Sequence, residues 1–150
     1  MRKNNQLERG VKSRGISTVE IPQTKTIQIG MGLPIQTFLA KGINAVKLEL
    51  IFEAGRTKES KKMVAQACGA LMTEGSREYN SARLSEMVDY EGAHLFSQGG
   101  TDFISLKLIS AKKSFSKMLD LLSSVLRAPL FDENEFLLFV ERKKQNLALD

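Results

Sequence analysis

Between Ala45 and Glu53 the apolar residues Val46, Leu48, Leu50 and Phe52 alternate with Lys47, Glu49, Ile51 and Glu53. A period of two predicts a strand with one buried face and one mainly charged face. Gly55 and Arg56 end it. Ahead of it, residues 17–40 read as short strands with breaks. Val19 and Ile21 precede Pro22, Ile27 and Ile29 precede a Gly30-Met31-Gly32 turn, and Ile35 to Leu39 forms another short apolar run. Beyond it the period lengthens. A helix is predicted from about Ser60 to Met72, with Met63, Val64, Ala67 and Leu71 on its inner stripe. Gly69 inside this helix costs roughly 1 kcal/mol against Ala, and Gly75 is placed to close it. A second helix starts on an Asn80 or Ser81 cap, turns Leu84, Met87 and Val88 inward, and stops at Gly92.

A hairpin follows, with strands near Ala93–Gln98 and Asp102–Ile109 and a turn at Gly99-Gly100. Ile104, Leu106 and Leu108 alternate with Ser105 and Lys107, so the apolar three should be buried. Phe115, Met118, Leu119, Leu122, Val125 and Leu126 then form a helical stripe that Pro129 ends. Asp132 caps a last helix, with Glu135 as the reciprocal partner of a capping box. Phe136, Phe139, Val140 and Leu147 make its apolar side. Helices and strands do not alternate strictly, which argues for α+β over a doubly wound parallel sheet.

A chain of 150 residues, 42% apolar and 26% charged, suits one domain with its own core. Cys68 is the only cysteine, so no internal disulfide can form, and a lone thiol fits a reducing compartment such as the cytoplasm. No apolar run reaches membrane-spanning length, and no secretory h-region is visible. The net charge of +5 is concentrated in residues 1–15, where Arg2, Lys3, Arg9, Lys12 and Arg14 face Glu8 alone. We read 1–15 as a basic, solvated segment and 16–150 as the folded part. Nucleic-acid binding would need a basic face with aromatics on the folded part, and the sequence offers none.

Several local sequences, in order, resemble the pitrilysin/insulinase (M16-type) zinc metallopeptidases, which include the mitochondrial processing peptidases. Phe52-Glu53-Ala54-Gly55-Arg56 with Glu59 resembles the family's strand ending in Ala-Gly-Ser/Arg with a nearby Glu. Glu91-Gly92-Ala93 resembles its Gly-Gly or Gly-Ala step, and Asp102-Phe103 its Asp-Tyr. Leu119 to Asp132 is similar to the segment LLxxxxxNPxFDxxEF, and Glu141-Arg142 matches the Glu-Arg pair of the long helix. The resemblance implies an α+β domain with a mixed, largely antiparallel sheet and helices packed on one face. Since a first domain of this kind runs beyond Asp150, the sheet is expected to be incomplete at the C-terminus.

The family's chemistry sits in an inverted motif, His-x-x-Glu-His, with a later Glu as third zinc ligand. Gly75-Ser76 matches the Gly-Thr that follows the motif and sets the register. Gln66 then stands at the first His, Gly69 at the catalytic Glu and Ala70 at the second His, while Ala148 falls at the third ligand. The resemblance therefore implies a non-catalytic homologue that holds no cofactor, where active relatives hold zinc. His94 reads as structural or surface, and Cys68 as a small buried apolar residue one position off the ligand register. In active members a strand after the Gly-Gly step takes substrate as an added strand. That strand corresponds to Phe96, Ser97 and Gln98, although Phe96 and Gly99 depart from the family pattern. The partners implied are further copies of the chain or a catalytically active family subunit, with a peptide as ligand and neither nucleic acid nor membrane. The alternatives are a small basic binding module or an unrelated α+β domain.

Overall fold

The computed structural model describes residues 23–149, and the chain divides after Gly42 into two units. The basic segment 1–15 and the run around Val19 and Ile21 lie outside the described residues. In the first unit, strands β1 (Lys25–Ile29) and β2 (Leu33–Thr37) pair as an antiparallel hairpin with Ile27 opposite Ile35. Gly30 at φ +53° and Gly32 at φ +93° make its turn, a conformation that side chains with a Cβ rarely adopt.

The second unit begins with β3 (Ala45–Phe52) and a 3-10 turn at Arg56–Lys58. Two helices follow, α1 (Val64–Leu71) and α2 (Ser81–Tyr90). A hairpin of β4 (His94–Gly99) and β5 (Ile104–Ala111) leads to α3 (Phe115–Arg127) and α4 (Glu133–Leu149). The sheet order is β3-β5-β4, with both ladders antiparallel.

Central β5 carries the expected alternation. Ile104, Leu106 and Leu108 are buried, while Ser105 and Lys107 face the other side. Opposed residues share a face, so Leu48 and Leu50 of β3 and Leu95 of β4 join Leu106 and Leu108. Onto this face α2 lays Leu84 and Val88, and α3 lays Met118, Leu121, Leu122 and Val125. A hydrogen bond from Ser97 Oγ to the Gly69 carbonyl brings α1 to the same face. The helices thus cover one face of the sheet. The other face is polar: Glu49 sits 3.0 Å from Lys47 Nζ and 3.2 Å from Lys107 Nζ, and Lys107 lies 5.7 Å from the Phe96 ring centroid.

Several expectations need correction. The first helix begins at Val64 because Met63 takes a left-handed conformation, φ 76°. Its buried residues are Ala65, Gly69 and Leu71, whereas Met63 and Val64 are exposed. It ends at Leu71, short of Gly75, which bridges instead to Asn80. In α3, Leu121 is buried while Leu119 and Leu126 are exposed. The inner face of β3 is only half-buried and Phe52 is exposed, because no described strand pairs with the outer side of β3. On α4, Phe136 and Leu147 remain exposed. Asp132 does cap this helix, accepting from the amides of Asn134 and Glu135 at 2.8 and 3.3 Å.

Candidate functional site

The site to be judged is the helix at the motif positions and the strand beside it. Two constraints place α1. Its N-terminus is held by Glu59, whose carboxylate accepts from the amides of Met63 at 3.1 Å and Ala65 at 3.0 Å. These are amides that a helix start leaves without partners. Its inner side lies directly on β4. A Cβ at Gly69 would fall on the backbone nitrogen of Gly99 and come within 2.7 Å of the Gln98 carbonyl carbon. A Cβ at Gly99 would in turn fall on the Ala65 carbonyl. Two facing glycines therefore permit a backbone-to-backbone contact that the Ser97 hydrogen bond closes. Gly99 was expected to form the turn; it is the last residue of β4, and the connection runs through Gly100 to Phe103. The missed signal was a pair of glycines, one inside a helix pattern and one at a strand end, which marks close backbone approach.

Gly55 has a similar part. Its amide and those of Arg56 and Thr57 donate to the carbonyls of Asp102, Gly100 and Thr101. The Gly55-Arg56 segment thus seals the hairpin connection, and Arg56 adds a 2.8 Å hydrogen bond to Thr101 Oγ1.

Gln66 and Ala70, four apart and so on one side of α1, are half-buried. Ala148 lies exposed in the last turn of α4. The two helices do meet. Met63, Val64 and Ala67 of α1, with Phe136, Phe139, Val140 and Leu147 of α4, line an apolar groove of about 280 Å³. Zinc of the kind the inverted motif binds needs three protein donors. Gln66 offers a neutral amide, Ala70 and Ala148 end at methyl groups, and Gly69 is occupied by its contact with β4. The residues present do not fit the metal. Among the described residues no three His, Cys, Asp or Glu side chains converge to hold one. Cys68 is half-buried rather than buried, and burial pushes its thiol pKa up. His94 is exposed on the outer face of β4.

Among the described residues, β4 is an edge of the sheet. The Gly100 amide donates to the Phe103 carbonyl at 2.8 Å, which makes 100 and 103 a hydrogen-bonded pair. Antiparallel ladders alternate, so Phe96 and Gln98 turn their main-chain groups to β5, while Leu95 and Ser97 turn theirs to the free edge. Of the three residues expected to receive a strand, only Ser97 presents its backbone there.

The family model described as insulinase (peptidase family M16) matches residues 40–147. Among solved structures, the peptidase M16 inactive domain from Pseudomonas fluorescens aligns with a TM-score of 0.71 at 22% identity, over 83% of this chain and 30% of that one. A protease from Helicobacter pylori aligns with a TM-score of 0.66 at 16% identity, over 78% and 29%. The chain thus spans 29–30% of the length of these two structures, and at such identities the likeness speaks to fold alone. No curated protein sequence matches the chain.

Proposed function

Because the chain belongs to the insulinase (M16) peptidase family, we propose that it is a non-catalytic member, supplying wall and pairing surface where an active family subunit or further copies of the chain complete a peptide chamber. The Gly69–Gly99 contact carries this reading. An active motif needs a carboxylate at position 69, and here that position is packed against the β4 backbone. The loss is steric as well as chemical. A metal-bound water would have no proton acceptor, and the motif's two His positions offer one neutral amide and one methyl group. The fold is shared with an M16 inactive domain, which is compatible with a non-catalytic role.

The peptide-binding part of the proposal rests on the free edge of β4. An extended peptide would bond to the main chain of Leu95 and Ser97, with Phe96 and Gln98 beside it on the outer face. Metal analysis of protein purified without chelator, run beside a peptide-cleavage assay, tests the first part. Zinc well below one per chain and no cleavage are expected; stoichiometric zinc with chelator-sensitive cleavage would overturn the proposal. For the second part, Ser97→Pro removes an edge N–H that no described ladder uses together with the Ser97 Oγ bond to Gly69, so Ser97→Ala, which loses that bond alone, is the reference against which it is read. Peptide retention should fall while the circular dichroism spectrum is kept. Unchanged retention would remove β4 as the peptide edge.

A further inference from the structure

We draw no further inference here: the strongest candidate, the apolar groove of about 280 Å³ between α1 and α4 around Val64, Ala67, Phe136 and Phe139, carries nothing, because nothing in the structure shows what covers it.

Discussion

At the scale of single residues, Gly69 changes meaning between sequence and structure. In an isolated helix it costs stability, and replacing it with alanine should gain about 1 kcal/mol. Against β4 the sign reverses, because the new methyl group would overlap the Gly99 backbone. We expect Gly69→Ala and Gly99→Ala each to destabilise the protein by about 1–3 kcal/mol, the range for overpacking a tight contact, as measured by urea unfolding. A stabilised Gly69→Ala variant would mean that α1 does not sit on the strand. Cys68 is the other residue whose setting decides its behaviour. Its raised pKa lowers the thiolate fraction, so it should react more slowly than a free thiol with alkylating reagents at neutral pH, a rate followed by mass spectrometry.

At the scale of elements, the parts legible in the sequence are those with strong periodicity. The inward face of β5, the Asn80 cap and the Asp132 cap follow from alternation and capping chemistry, and the Asn80 side chain accepts from the Arg83 amide at 2.9 Å. Misjudged parts have a tertiary cause. Ser60 to Met63 has helical composition, but the Glu59 carboxylate takes the first amides and Met63 turns left-handed, so α1 starts late. Leu119, Leu121 and Leu126 are alike in the sequence; only the placement of α3 on β5 decides that Leu121 is the buried one. Loss of the side-chain cap in Glu59→Ala should cost about 1 kcal/mol and reduce the helical signal. A second carboxylate ties α2 to α3. Glu91 accepts from Lys117 Nζ and from Ser114 Oγ at 2.5 and 2.7 Å, and these bonds, the lysine's foremost, hold its pKa below the ordinary glutamate value. A carboxylate depressed in the folded state contributes stability above its unfolded pKa and loses it as pH falls through the folded one. Thermal stability should therefore decline between about pH 5 and 3, and Glu91→Gln should flatten that part of the profile.

At the scale of the whole molecule, the positions that the proposal turns on come from the sequence, because a register anchored on Gly75-Ser76 sets Gln66, Gly69, Ala70 and Ala148 where the family motif would place its chemistry. The closing of α1 onto β4 was not legible, since it depends on two glycines far apart in the chain. The difference matters for any attempt at restoration. If the chain lacked only side chains, Gln66→His, Gly69→Glu, Ala70→His and Ala148→Glu together would rebuild an inverted zinc site. The packing says otherwise, for a glutamate at 69 must push α1 off β4. That movement breaks the Ser97 hydrogen bond to Gly69 and opens the contact at Gly99. It also strains the Glu59 cap, which holds the start of the same helix. We expect the fourfold variant to be less stable than the parent chain by more than the Gly69→Ala variant is, and to take up zinc weakly without cleaving peptide. Adding Gly99→Ala should worsen it, because the strand would then meet the displaced helix with a further methyl group. Urea unfolding with and without zinc, together with a cleavage assay, decides the matter. A fourfold variant that is stabilised by stoichiometric zinc and cleaves peptide would mean that α1 moves freely on the sheet, and that its packing on β4 is no obstacle to a zinc site.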